Sequence, residues 1–140
     1  MATYLKEAKL VEDFKTFFEN FKSPFNIVNS ALEFNYLNGR ADIVAKTEDG
    51  LLIAFEAKLV KWKRALQQAY RNSSFAHFSY VILPESSAQN ALKYSHEFLK
   101  RGVGLYSVNS DGIKNEINAI KKEPLQPWLT DSAFTFIESF

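Results

Sequence analysis

The stretch Leu51-Leu52-Ile53-Ala54-Phe55 is apolar at every position, with no alternation that would give it a wet side. A strand of this kind has to be covered on both faces, as a central strand between two layers of helix is. It runs on into Glu56-Ala57-Lys58-Leu59, so two charges stand at the end of what should be the most buried element of the chain. Placing charge there is costly unless something answers it.

The surrounding segments supply the covering layers. Over residues 4 to 22, Leu10, Val11, Phe14, Phe17, Phe18 and Phe21 share one arc of a helical wheel, with Thr3 as a candidate N-cap and Ser23-Pro24 as the stop. Leu32 to Leu37 alternates like a strand, and Asn38-Gly39 favours a two-residue hairpin returning through Arg40 to Lys46. After the central strand, Lys61 to Asn72 reads as an amphipathic helix and Tyr80 to Leu83 as a strand halted by Pro84. A single helix fits Ser86 to Lys100, ended by Gly102, and Val103 to Val108 reads as a last strand turned out by Asp111-Gly112. In the tail, Pro124 and Pro127 mark a loop and Thr130 a cap for a short helix. The expected class is α/β (α+β), a mixed central sheet with helices on its faces in the order α-β-β-β-α-β-α-β.

Composition bounds the function. At 140 residues and 46% hydrophobic, the chain fits one domain, 1–140, with a core over about 4–110 and a C-terminal extension over about 111–140. Without cysteine there are no thiolate metal sites or cysteine nucleophiles, and His77 and His96 alone do not make an imidazole zinc site. Metal chemistry would therefore rest on carboxylates. No apolar stretch is long enough to span a bilayer and residues 1–9 carry no apolar leader, so the expected setting is cytoplasmic, without a membrane.

Hairpin arithmetic brings the polar residues together. If Glu48-Asp49-Gly50 is a three-residue loop, Thr47 pairs with Leu51 and Asp42 falls opposite Glu56. Opposed carboxylates, with Cβ atoms about 5 Å apart, can share one divalent cation, and oxygen-only ligands suit Mg2+ or Mn2+. Lys58 projects from the same face and Arg40 faces it across the ladder. The Asn38-Gly39 turn is expected to pair Leu37 with Arg40 and Asn35 with Asp42, with Glu33 one position further along. Of the first helix's carboxylates, only Glu7 lies on the apolar arc, where it serves either as a further metal ligand or as a first-turn acid favoured by the helix dipole. Between Glu56 and Glu85 there is no acidic residue, while Lys58, Lys61, Lys63, Arg64 and Arg71 are basic and interleave with Trp62 and Tyr70. Within a net charge of only +1, this run is either a solvated helix face or the footprint of a phosphodiester backbone.

Asp42, then Glu56-Ala57-Lys58 after a short hairpin, then a helix carrying Gln67 and Gln68, resembles the PD-(D/E)xK nuclease superfamily, the restriction-endonuclease-like and Holliday-junction-resolvase-like fold. The resemblance covers about Lys6 to Val108; Ala41 replaces the family's proline before the first acid, and Asn72 stands where some exonuclease members carry tyrosine. It implies a three-layer fold and hydrolysis of nucleic acid, DNA in the first instance. It also implies that Asp42, Glu56 and the Ala57 carbonyl hold Mg2+, that Lys58 orients or deprotonates the attacking water, and that Gln68, with Gln67 as the alternative, assists. Arg40, Lys61, Lys63, Arg64 and Arg71 form the expected nucleic-acid contact. The alternative is a catalytically inactive module of the same fold that binds nucleic acid or protein. A chain this short leaves little room for sequence readout, which a homodimer or a partner subunit would supply. Trp62, Phe134, Phe136 and Phe140 are expected in the core or at a subunit contact, Glu33 and Asn35 beside the site, and His77 and His96 have no assigned role.

Overall fold

The computed structural model describes residues 4–20, 25–37 and 39–140. Its elements are α1 (Glu7–Asn20), β1 (Ile27–Tyr36), β2 (Gly39–Thr47), β3 (Leu52–Ala57), α2 (Trp62–Asn72), β4 (Phe78–Pro84), α3 (Glu85–Leu92), α4 (Ser95–Arg101), β5 (Gly104–Asn109), β6 (Gly112–Ile117) and α5 (Pro127–Glu138). The six strands lie in one sheet in chain order. The β1–β2, β2–β3 and β5–β6 pairs are antiparallel and the β3–β4 and β4–β5 pairs parallel, the parallel steps being bridged by α2 and by α3–α4. All six residues of β3 are buried, as its composition requires.

Three layers result. On one face, Leu10, Phe14 and Phe18 of α1 meet Ile43, Ile53, Phe55, Tyr80, Ile82 and Tyr106. The rings of Phe14 and Phe18 both lie 5.0 Å from that of Phe55, a cluster that adds aromatic contact to simple area burial. On the other face, α5 packs through Leu129, Ala133 and Ile137 over β1 and β2, and α2, α3 and α4 cover Val81, Leu83 and Leu105. Tyr80 fits its place only because residue 104 is glycine: a Cβ there would stand 2.2 Å from the tyrosine ring.

Several sequence expectations are corrected. The helix expected over 86–100 is two, broken at Lys93 and Tyr94 without proline or glycine to announce it. A sixth strand begins at Gly112, and α5 starts at Pro127 after Gln126, not at Thr130, in keeping with proline's fit to a first helical turn. The Thr3 cap, the Ser23-Pro24 stop and Asn38 fall outside the described residues. In the first hairpin, Tyr36 pairs with Gly39 and Asn35 with Arg40, so the ladder is shifted from the expected Leu37–Arg40 and Asn35–Asp42 pairs. Leu37, at φ 47°, enters the turn and Gly39 the strand. Phe134 and Phe136 pack on the core, whereas Phe140 is exposed.

Candidate active site

The second hairpin has the expected geometry. Gly50, at φ 81°, closes the turn in the left-handed region that glycine enters without penalty, and the ladder runs from Lys46↔Leu52 to Ile43↔Phe55. Continued by one residue, this register sets Asp42 against Glu56. There the backbone ladder gives way to side chains. The Asp42 amide donates to Glu56 Oε2 at 3.1 Å, and the Ala57 amide donates to Asp42 Oδ2 at 2.8 Å. Each carboxylate thus accepts a backbone N–H from the opposite strand, which fixes both acids relative to each other.

A matched irregularity in β1 and β2 accompanies this change. Ala41 and Val44, three residues apart, both join the cluster under α5, as do Ala31 and Phe34 on the partner strand. Strict alternation would forbid that. The pairs Leu32↔Ile43 and Phe34↔Ala41 nevertheless keep one register, and Glu33 between them sits at φ 60°. Glu33 lies 3.6 Å from Arg40, which also donates to Asp42 Oδ1 at 3.3 Å.

Glu56 is 1% exposed. Burial, and then the charge of Asp42, push its carboxyl up to about 8. Among the described residues no cationic side chain comes within ion-pair distance of it, and Lys58 reaches Glu7 instead, at 3.8 Å. Behind Glu56, the Tyr36 hydroxyl donates to Asn72 Oδ1 at 2.5 Å, while the fully buried Asn72 Nδ2 has no hydrogen-bond partner. The Asn72 side chain is near enough to Glu56 to favour its ionised form, though it completes no hydrogen bond to it. Sequence reasoning did not single out this pair as functional; the available signal was that Asn72 lies four residues after Gln68, on the same side of α2.

The acids open into a polar cavity of about 660 Å3, lined by Glu7, Asn35, Tyr36, Leu37, Gly39, Arg40, Asp42, Glu56, Lys58, Gln68 and Arg71. It lies where the first turn of α1, the β1–β2 turn, the end of β3 and one side of α2 meet. Gln68 faces it and Gln67 does not, lining a different pocket. On α2, Arg64, Gln68 and Arg71 fall with Lys61 within about 80° of arc, so the stripe continues along the helix beyond the cavity. Lys61 and Arg64 are exposed, and Lys63 points away, 5.6 Å from the Trp62 ring centre. Among the described residues no three His, Asp or Glu side chains stand close enough together to hold a metal ion, so Glu7 is not grouped with Asp42 and Glu56. Two carboxylates with water are nonetheless a normal protein contribution to a Mg2+ site. Asp42 and Glu56 fit such an ion: both are hard oxygen donors, and Glu56 is buried without a countercharge.

No family model matches the sequence, and no curated protein matches it. Solved structures do. A Silicibacter pomeroyi protein of unknown function superposes with a TM-score of 0.67 at 12% identity, over 96% of this chain and 86% of its own. A repair endonuclease from Pyrococcus abyssi gives 0.45 at 15% identity, over 78% and 50%. Pyrococcus furiosus SfsA, solved in complex with Ca2+, gives 0.43 at 11%, over 82% and 62%. The first of these likenesses establishes a shared fold. The other two are too partial to carry an argument.

Proposed function

We propose that this chain is a metal-dependent nuclease that hydrolyses phosphodiester bonds, with DNA as its substrate. One observation carries the reading: Asp42 and Glu56 are locked together by reciprocal carboxylate–amide bonds at the mouth of a polar cavity that also presents Lys58, Gln68, Arg40 and Arg71. Asp42, Glu56 and the Ala57 carbonyl would hold Mg2+ or Mn2+, which supplies Lewis acidity and a more acidic bound water. Lys58 orients the attacking water and stabilises charge developing on the phosphorus oxygens. Gln68 supplies a neutral donor from α2. Arg40 and Arg71 flank the cavity as phosphate contacts, extended by Lys61 and Arg64.

The test is thermal unfolding of the wild type and Asp42→Ala, with and without millimolar Mg2+ or Mn2+, beside a nicking assay on plasmid DNA. Metal-dependent stabilisation and cleavage, both lost in the variant, are expected. Stabilisation without cleavage would redirect the reading to another phosphodiester substrate. The absence of both would assign the chain to the inactive binding module.

A further inference from the structure

A second cavity, of about 510 Å3, lies on the other side of α2, between that helix and α4. Its size is that of an ordinary small-ligand site. Trp62 and Leu66 make an apolar wall, only 7% and 3% exposed, and Tyr94 stacks on the Trp62 ring at 5.2 Å and 25° while remaining 45% exposed. Phe98 backs Trp62 from within at 5.8 Å. This is a rigid aromatic shelf with one ring turned outward. Its polar rim is predominantly basic: Lys63 and Arg101 line it, and the single carboxylate, Glu97, is answered by Arg101 at 2.8 Å and by Lys100 at 3.7 Å. The Gln67 amide offers both a donor and an acceptor to the same space.

A flat apolar surface, an amide and nearby cations together describe the needs of a nucleotide whose base is unpaired. A base inside a duplex has both faces and its pairing edge already occupied, whereas a single strand can turn a base onto an aromatic ring. The position of the shelf adds to this. Gln67 and Gln68 are neighbours on one helix, yet one lines this cavity and the other the acid-bearing cavity, so the two are separated only by α2. A helix with its side chains is about 10–12 Å across, a distance that about three nucleotides cover. On the helix wheel Arg64 and Arg71 fall between Gln67 and Gln68, and both are exposed, in a stretch of chain without an acidic residue.

We propose that the Trp62–Tyr94 shelf binds an unpaired nucleobase a few nucleotides from the phosphate held at Asp42 and Glu56, so that the substrate is nucleic acid with a single-stranded segment. The proposal rests on the nuclease reading for the position of the scissile phosphate, but binding at the shelf can be measured without cleavage.

Trp62 and Trp128 are the only tryptophans, and Trp128 is exposed, so Trp128→Phe leaves Trp62 emission as the reporter. The probes are a short oligothymidylate and a blunt duplex of equal length, without divalent metal. The oligothymidylate is expected to quench Trp62 saturably and the duplex to do so far more weakly. In the same background, Tyr94→Ala should weaken single-strand binding roughly tenfold and Tyr94→Phe should stay within about twofold, the pattern of base stacking. Lys63→Ala should reduce the salt dependence by about one phosphate's share. Equal quenching by the duplex, equal affinity of Tyr94→Ala, or no response to either probe would overturn the proposal, the last leaving the cavity to a protein segment. Tyr94-dependent binding in a protein that cleaves nothing would retain the shelf and remove the nuclease reading. Cleavage of tailed substrate indifferent to Tyr94→Ala would do the reverse.

Discussion

Two of the acid-lined cavities of this molecule differ in how their charge is met. At the end of β3, Asp42 and Glu56 are bonded to backbone amides, and Glu56 is buried without an ion pair. Beyond β4 and β5, Glu85, Asp111 and Glu116 line a cavity of about 350 Å3, and the two glutamates there have polar partners. The Ser107 hydroxyl donates to Glu116 at 2.8 Å, Lys114 lies 3.6 Å from it, and the Asn109 amide donates to Glu85 at 2.5 Å. Acids line a cavity in both places. Only at β3 is a buried acid left for an external cation to neutralise, which is the condition that favours metal binding over simple solvation.

The largest effect should come from removing that difference by mutation. Asp42→Asn or Glu56→Gln should lower plasmid nicking on the order of a thousandfold. Glu116→Gln, a substitution of the same kind in the other cavity, should leave the rate within about twofold.

Next is stability in the absence of metal. The folded Glu56 carboxyl keeps its proton up to pH about 8, whereas the unfolded one releases it near 4.5. Its contribution to stability is therefore complete below 4.5 and is lost as pH rises through 8. Chemical denaturation of wild type and Glu56→Gln across this range should show the variant gaining on the wild type by about 4 kcal/mol at pH 8, with little difference near 4.5. A parallel pair of curves would show that Glu56 is ionised in the metal-free protein.

The same proton sharpens the comparison from the ligand side. Binding of Mg2+ at pH 7 should release close to one proton, measured calorimetrically in two buffers of different ionisation enthalpy, and affinity should rise with pH towards 8. Glu116→Gln should leave both values unchanged. The smallest effect belongs to the satisfied cavity: Ser107→Ala should cost about 1 kcal/mol in denaturant unfolding, without altering the response to metal.

What was legible in the sequence followed from short-range rules with a single solution. Gly50 fixes one turn geometry, and that geometry alone sets Asp42 against Glu56. The first hairpin went astray because Leu37 accepts a positive φ, so the turn moved off the Asn-Gly pair that local preference selects. The β6 segment, Gly112-Ile113-Lys114-Asn115-Glu116-Ile117, is too polar to announce an edge strand, and its pairing with β5 is a tertiary matter. The Tyr36–Asn72 bond joins residues 36 positions apart on a strand and a helix, and no periodicity in either segment points to it. Gln68 was separable from Gln67 only by resemblance; the structure separates them by which side of α2 each occupies.

The exchange of backbone rungs for carboxylates at the end of the β2–β3 ladder has a consequence for observing this protein. The amide hydrogens of Asp42 and Ala57 are held by the acids themselves, so their isotope exchange reads out whether the two carboxylates are in place. Local opening of this one corner, while Phe55 and its neighbours stay protected, would release both hydrogens together. A cation bridging the acids would slow both, and the integrity of the proposed catalytic pair could then be followed residue by residue in solution with no substrate at all.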